Sequence, residues 1–244
     1  MKLIYGYCCE QGVGRRKNQD AMLIKLDQVF KRDVCLAVVS DGVGSFEHSD
    51  FASTTIRNLI SAWFDRSMNE YKAAGIKNKS LNTVYWELKN ALREELWLAH
   101  KVISDATESR NINSAATVCV VLTVGNLYCV YSSGDSRVYE FGKKTIQLTK
   151  DQVTNHNGRM VLSNCMGCFP GPDLVKSEGK IRKNTSYILA TDGFYRKLDT
   201  SKALKDLAKA KMSGDVQNII TDIREYTINA GERDDSTGIA LKFI

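Results

Sequence analysis

The sequence contains few of the residues that separate a chain into independent units. Only two prolines occur among its 244 residues, Pro170 and Pro172, and they lie close together. No stretch has the Ser/Gly-rich or Pro-rich composition of a flexible linker. A chain of this length can bury one sizeable core. We therefore expect a single domain over residues 1–244.

Long apolar runs are also missing. No stretch approaches the roughly 20 apolar residues that cross a bilayer. The N-terminal "MKLIYGYCCEQG" is followed by Arg-Arg two residues later rather than by a small-residue cleavage site. We expect a soluble cytoplasmic protein that has no membrane partner and is a monomer.

Paired cysteines are too few for a structural zinc site. The one Cys-x-x-Cys is "CMGC" at 165–168, beside an adjacent pair at Cys8 and Cys9. A structural zinc ion needs about four ligands, commonly from two such pairs, so neither zinc nor redox chemistry is favoured. The seven cysteines mostly lie in apolar strand-like runs, which indicates reduced core thiols. The clearest cases are Cys35, Cys119 and Cys129.

Charge of one sign is not concentrated anywhere. The formal net charge is +6, spread over many segments rather than one stripe. Such a surplus suits an anionic substrate. The basic stretches at 142–150 and 176–184 have the composition of solvated loops and strand edges, so we expect no nucleic-acid partner.

Hydrophobic patterning gives the order of elements. Strand-like composition covers residues 2–9, 20–26, 34–40, 117–124, 127–133, 137–141, 186–191 and 237–243. Helical periodicity covers 50–68, 80–108, 201–211 and 214–230. The "GN" at 125–126 predicts a tight hairpin between antiparallel strands. On the second helix, Ser80 or Asn82 is the candidate cap. Its polar face carries Lys89, Arg93, Glu94 and Lys101.

Helices do not alternate one by one with strands, which argues against a doubly wound parallel sheet. Two antiparallel sheets that bury one face against each other need helices on their outer faces. The predicted fold is therefore α+β, a four-layer α-β-β-α sandwich of two mainly antiparallel sheets.

Two apolar strands each run directly into Asp-Gly, at Asp41-Gly42 and at Asp192-Gly193. A single strand-end Asp is usually a turn residue. Similar carboxylates also flank other strands, however: Asp20, Asp135, Asp234 and Asp235. If the fold brings them together, they would repel one another without cations. Hard oxygen ligands without a matching His or Cys set favour Mg²⁺ or Mn²⁺.

These residues carry a resemblance to a known family. The segments "RRKNQD", "VVSDGVGS", "AAT", "SSGDSRVY", "LTKDQ", "ATDGF" and "RDDST" occur in the order typical of the metal-dependent serine/threonine protein phosphatases of type 2C. The chain is similar to the bacterial single-domain members from about residue 6 to 243. The family's fold is the sandwich that patterning predicts independently.

The resemblance implies two Mn²⁺ or Mg²⁺ ions and a role for each matching carboxylate. Asp41 corresponds to the ligand that bridges both ions, with the Gly42 carbonyl on one of them. Asp192 and Asp234 correspond to ligands of the other ion, and Asp20 to a ligand acting through water. Asp135 resembles the ligand of a third, weaker ion. Asp235 stands where Asn is common, and spacing from Thr237 assigns the metal to Asp234 rather than to Asp235.

The resemblance also implies that Arg15 clamps the substrate phosphate. A guanidinium can hold a phosphate through two parallel hydrogen bonds. If the match to the family motif is shifted by one residue, Arg16 rather than Arg15 is the phosphate ligand. Val43 stands where animal members often carry a proposed acid His, and Ser45 replaces a common Gly. His48, nearby in sequence, is more typical of a surface or structural position.

The implied activity is hydrolysis of phosphoserine and phosphothreonine on intracellular proteins by a metal-activated water, opposing a partner Ser/Thr kinase. The sequence leaves two alternatives open. One is a catalytically silent binding module, although no ligand carboxylate is missing. The other is the same centre acting on a small phosphorylated molecule, which a deep closed pocket would favour. Residues 152–180 should hold the family's variable flap.

Overall fold

The computed structural model describes residues 1–29, 31–46, 48–74, 79–110, 112–168 and 171–244; Pro170, noted above, lies outside them. The strands are β1 Leu3–Glu10, β2 Ala21–Val29, β3 Arg32–Ser40, β4 Val118–Val124, β5 Leu127–Ser133, β6 Arg137–Phe141, β7 Thr145–Gln147, β8 Val153–His156, β9 Arg159–Leu162, β10 Val175–Lys180, β11 Thr185–Ala190 and β12 Ser236–Phe243. The helices are α1 Ser49–Ala73, α2 Leu81–Arg110, α3 Asp192–Tyr195, α4 Thr200–Lys209 and α5 Ser213–Asn229.

The strands form two five-stranded sheets in which every neighbouring pair is antiparallel. The first has the order β1-β12-β11-β6-β7, and the second the order β10-β5-β4-β3-β2. In the first sheet, Leu3 lies opposite Phe243 and Glu10 opposite Ser236, so the first and last strands pair along their whole length. This arrangement confirms the predicted α+β sandwich.

Three apolar layers hold the sandwich together. Helices α1 and α2 pack on the second sheet, and α4 and α5 pack on the first. Burial of β3 on both faces explains why its sequence is continuously apolar. Its alternate residues Val34, Leu36 and Val38 face the helices. Cys35, Ala37 and Val39 face the other sheet. A strand buried on both faces has no polar side, so period-two patterning is lost.

Local signals in the sequence mostly correspond to the structure. Gly125 takes a φ of +60° at the β4–β5 hairpin, where Val124 lies opposite Leu127. Ser80 caps α2, because its Oγ accepts the N–H of Thr83 at 3.1 Å. The assignment of Lys89 to the polar face of α2 was wrong.

Lys89 is only 2% exposed and lies on the buried side of α2. Its Nζ lies 2.8 Å from Glu178 of β10 and 3.5 Å from the Trp86 ring centroid. An acidic partner on a neighbouring strand and an aromatic face compensate for the burial of this charge. Glu178 is far away in the sequence, so helical periodicity alone could not reveal it.

Four short strands and one short helix were not predicted. Strands β8 and β9 form a separate hairpin that turns at Asn157 and Gly158, with φ of +53° and +82°. Residues 175–180, at the end of the predicted flap segment, form β10 and pair with β5 at the edge of the second sheet. No helix within the described ranges is both long and apolar enough to cross a bilayer.

The expectation of reduced cysteines was wrong for one pair. Cys165 and Cys168 form a disulfide with Cα atoms 5.4 Å apart, and Gly167 between them takes a φ of +87°. The turn brings the two side chains together. Five cysteines remain free, and burial raises the pKa of Cys35 and of Cys129 to about 12, as suits core thiols.

Candidate active site

One end of the sandwich carries an open cleft of about 570 Å³. Strand β3 ends just before Asp41, and β11 ends two residues before Asp192. In antiparallel sheets the ends of these strands lie beside the starts of their neighbours, with Ser40 opposite Ala21 and Ala190 opposite Gly238. The cleft is lined by Arg15, Asp41, Gly42, Val43, Gly44, Thr117, Asp135, Arg137, Asp151, Val153, Met160, Leu162, Asp192, Tyr195, Arg196 and Asp234.

The glycine after each strand-end aspartate is required by close backbone contacts. A Cβ on Gly42 would lie 2.8 Å from the carbonyl oxygens of Gln19 and Ser49. A Cβ on Gly193 would lie 2.1 Å from the carbonyl oxygen of Asp235. Both approaches are shorter than real Cβ contacts, so only glycine fits. The two Asp-Gly pairs thus mark points where separate chain segments meet under the cleft.

Asp41 is the electrostatic centre of the cluster. Burial raises the pKa of its carboxyl well above the usual value, and the charges of four other carboxylates raise it further. Those four are Asp20, Asp192, Asp135 and Asp234. The structure therefore brings all five of the predicted ligand carboxylates into one neighbourhood. Gly42, the predicted carbonyl ligand, lines the same cleft.

Asp20 lies beneath the cleft rather than on its wall. It is 8% exposed, and its Oδ2 accepts the hydroxyl of Thr191 at 2.9 Å. Burial raises its pKa to about 7. Burial likewise raises the pKa of Asp192 to about 6, although Arg196 opposes the shift. The Oδ1 atoms of Asp20 and Asp192 are buried and find no hydrogen-bond partner among the described residues.

Asp234 and Asp235 have different surroundings. Asp234 is a quarter exposed and lines the cleft. Asp235 is 3% exposed and accepts the backbone N–H groups of Gly12 at 2.7 Å and Gln19 at 2.8 Å. These two bonds tie the loop before β2 to the start of β12. Asp234 is accordingly the carboxylate of this pair that a cleft-bound ion could reach.

Two arginines flank Asp234. Arg15 Nη2 contacts Asp234 Oδ1, and Arg15 Nη1 donates to Gln19 Oε1 at 3.1 Å. Arg196 Nη1 lies 3.4 Å from Asp234 Oδ2, on the other side. Arg16 is exposed and lies outside the cleft lining. The sequence had predicted no functional role for Arg196. Its position four residues after Asp192, at a helix start, was the signal that could have found it.

A second wall of the cleft combines a rigid ion pair with apolar groups. Arg137 holds Asp151 through two donors, at 3.0 Å from Nε and 2.6 Å from Nη2, and its guanidinium lies 3.9 Å from the Tyr195 ring centroid. Met160, on the β8–β9 hairpin, is 64% exposed at the cleft edge. These residues also had no role assigned from the sequence, although "GDSR" and "LTKDQ" contain two of them.

No imidazole is among the residues that line the described cleft, and Val43 occupies the position considered above. His48 is exposed and immediately precedes α1. Its carbonyl oxygen accepts the Ser114 hydroxyl at 2.5 Å, whereas its ring makes no side-chain cap bond to the helix. His48 thus has the surface position that was expected.

The donor set suits a hard divalent cation. All five side chains are carboxylates, and two of them have buried oxygens without a hydrogen-bond partner in the described part of the chain. Positive charge would relieve their mutual repulsion. Among the described residues, no three His, Cys, Asp or Glu side chains form a closed ligand group. Guanidinium groups contact Asp192 and Asp234 instead. The chemistry of the residues therefore fits Mg²⁺ or Mn²⁺.

Several solved structures share this fold. PppA, described as a key regulatory component of the T6SS in Pseudomonas aeruginosa, has a TM-score of 0.77 and 19% identity, covering 100% of this chain and 99% of that one. The S. agalactiae serine/threonine phosphatase has a TM-score of 0.74 and 16% identity, with 100% of both chains covered. The PstP catalytic domain in complex with 2 manganese ions has a TM-score of 0.68 and 17% identity, covering 98% of this chain and 97% of that one.

The sequence matches a family model but no individual curated protein. No curated protein sequence matches the chain significantly. The sequence model of the Protein phosphatase 2C family matches residues 14–217, which is most of the chain and includes the Arg15, Asp41 and Asp192 segments. The chain therefore belongs to the protein phosphatase 2C family.

Proposed function

We propose that the chain is a Mg²⁺- or Mn²⁺-dependent phosphatase that removes phosphate from serine and threonine side chains of intracellular proteins. The observation that supports it best is the convergence of five carboxylates beside Arg15 at one end of the sandwich. A phosphate dianion cannot approach such a cluster unless cations neutralise it. The family of the chain supports the same reaction class.

Asp41, Asp192 and Asp234 would hold the two ions, with the Gly42 carbonyl oxygen as a further ligand and Asp20 beneath them. Asp135 would serve a third, weaker ion. When bound, the ions lower the pKa of water and neutralise the phosphoryl oxygens. PstP, which shares the fold, is described with 2 manganese ions.

Arg15 would bind and orient the substrate phosphate. Its side chain is 34% exposed at the cleft, so the guanidinium can reach an incoming anion. Gln19 accepts one of its N–H groups at 3.1 Å and so fixes the orientation of the fork. A fixed guanidinium loses less conformational freedom on binding than a mobile one.

The shape of the cleft favours a protein substrate over a small molecule. Arg196 is 46% exposed and Met160 64% exposed at its edges, so the wall is accessible rather than closed. A small phosphorylated molecule would be better held by an enclosing pocket. We infer that the substrate is a phosphoprotein and that a Ser/Thr kinase is the functional opponent. The enzyme itself would be a cytoplasmic monomer of one domain.

Metal-stripped protein provides the direct test. Hydrolysis of p-nitrophenyl phosphate and of a phosphothreonine peptide is measured with Mn²⁺, Mg²⁺ or chelator added back. We expect metal-restored activity that falls by orders of magnitude in Asp41→Asn and in Asp192→Asn, because each removes ligand charge. Asp222→Asn is the matched control, since Asp222 is exposed on α5.

Near-normal turnover of either ligand variant would contradict the two-metal assignment. A folded wild-type protein without activity under any metal would instead favour the silent binding module.

A further inference from the structure

One guanidinium contacts three carboxylates at the rim of the metal centre. Arg196 Nη2 contacts Asp192 Oδ2, while Nη1 lies 3.4 Å from Asp234 Oδ2 and 3.5 Å from Glu232 Oε1. The three carboxylate side chains are only 14%, 25% and 10% exposed, in that order. Limited contact with solvent strengthens such pairs relative to those on an open surface.

The chain geometry fixes Arg196 beside Asp192. Helix α3 is a single turn that begins at Asp192, and the N–H of Arg196 donates to the Asp192 carbonyl oxygen at 2.9 Å. Residues four apart on a helix face each other. The cation is therefore part of the same turn that supplies the predicted ligand, and it cannot diffuse away.

Glu232 offers Arg196 a partner that is outside the predicted ligand set. Its Oε1 accepts the backbone N–H groups of Arg233 at 3.0 Å and Asp234 at 3.1 Å, so its position is fixed by the loop before β12. A guanidinium displaced from the other two carboxylates can stay on Glu232.

We propose that Arg196 is a tethered cation that competes with a divalent ion for Asp192 and Asp234, and so lowers the affinity of that ion's site. This inference rests on the proposed function. Both cations need the same carboxylate oxygens, and two positive charges at this separation repel each other. A higher concentration of the ion is therefore needed to fill this site than the carboxylates would need without Arg196 beside them.

An alternative role for Arg196 predicts the opposite change in metal affinity. If Arg196 holds Asp192 and Asp234 in place for the ion, its removal weakens metal binding. If it competes with the ion, its removal strengthens binding. Metal affinity measured without substrate separates the two, independently of turnover.

The experiment is a titration of metal-stripped full-length protein with Mn²⁺, followed by the electron paramagnetic resonance of free Mn²⁺ and by calorimetry. We expect Arg196→Gln to bind one Mn²⁺ about tenfold more tightly than wild type. Arg196→Lys keeps the charge but loses the fork, and should lie between the two. Arg233→Gln is the matched control, because Arg233 is exposed beside Asp234 and makes no ion pair with the described residues.

The outcomes are distinct. Unchanged or weaker Mn²⁺ binding in Arg196→Gln overturns the inference, as does equal tightening in Arg233→Gln, which would indicate a general charge effect. Wild-type protein that binds no Mn²⁺ overturns the proposed metal centre itself. Circular dichroism reports folding, and Arg196→Met supplies a second neutral variant with an unbranched stem if the Gln variant is poorly folded.

Discussion

Asp234 and Asp235 are adjacent in the chain, yet their carboxylates point to opposite sides of the loop that precedes β12. Asp234 faces the cleft between Arg15 and Arg196. Asp235 faces inward and accepts two backbone N–H groups, at 2.7 and 2.8 Å. One aspartate is thus available to a ligand, and the other joins the N-terminal loop to the last strand.

Exchange of each aspartate for asparagine should separate folding from activity. Asp235→Asn replaces one acceptor oxygen with an N–H donor, which leaves a buried N–H unpaired and costs about 2 kcal/mol of unfolding free energy. That lowers the melting temperature by roughly 4–8 °C. Asp234→Asn should leave it within about 2 °C of wild type, while phosphatase activity falls by orders of magnitude. Thermal denaturation and p-nitrophenyl phosphate assays decide, and the reverse pattern would assign the metal to Asp235.

Arg15 and Arg16 provide a test of register at the phosphate clamp. Arg15→Ala should lower kcat/KM for a phosphothreonine peptide by about 10- to 100-fold, mainly through KM, because a charge-assisted fork is lost. Arg16→Ala should stay within about twofold, since Arg16 is exposed and lies outside the cleft lining. Competitive inhibition by inorganic phosphate gives a second readout. A larger effect from Arg16→Ala would mean that the clamp is displaced by one residue.

The carboxylate cluster predicts an unusual pH dependence for metal-stripped protein. Burial raises the pKa of Asp20 to about 7 and that of Asp192 to about 6, above the usual 3.8. The folded state therefore keeps protons that the unfolded chain has lost. The contribution of these two groups to the free energy of unfolding is fully present below about pH 4, and it is lost as the pH rises through 6 to 7.

We expect the melting temperature of metal-stripped protein to fall by roughly 8–16 °C between pH 5 and pH 8, which corresponds to about 4 kcal/mol. Added Mn²⁺ should reverse this trend, because deprotonated carboxylates bind the ion more tightly at high pH. Asp20→Asn, which removes one buried titrating group, should flatten the metal-free profile. A profile that rises with pH in the absence of metal would show that these carboxylates are already ionised in the folded state.

The sequence predicted those features that follow from local patterning. Strands such as β3 and β4 are apolar throughout, and α2 repeats its apolar residues over eight turns, so their positions were found to within a few residues. The order of the Asp-Gly and GDSR segments then identified the family. The grouping of the five carboxylates follows from strand ends that share one edge of the sandwich.

The remaining features depend on partners that are distant in sequence. Lys89 could not be placed without Glu178, and β10 has the alternating polar pattern of an exposed edge strand rather than an apolar run. Helix α3 is too short for a periodic signal. Arg196 meets Glu232 and Asp234 only because the fold brings them beside it.

The Cys165–Cys168 disulfide should stabilise a backbone link to the active site. Met166, between the two cysteines, exchanges backbone hydrogen bonds with Ala116 at 2.8 and 3.1 Å. Ala116 also bridges Gly42, the residue after Asp41. A disulfide that closes so short a loop contributes about 2 kcal/mol. Dithiothreitol should therefore lower the melting temperature by roughly 4–8 °C.

The double variant Cys165→Ser/Cys168→Ser should melt near the reduced wild type and show no further response to dithiothreitol. The control is Cys35→Ala/Cys129→Ala, which removes two free buried thiols and should keep the response to reductant. A thiol titration of denatured, unreduced wild type should give five free thiols out of seven. Seven free thiols in protein kept from reductants would contradict the disulfide, and with it the predicted loss of stability on reduction.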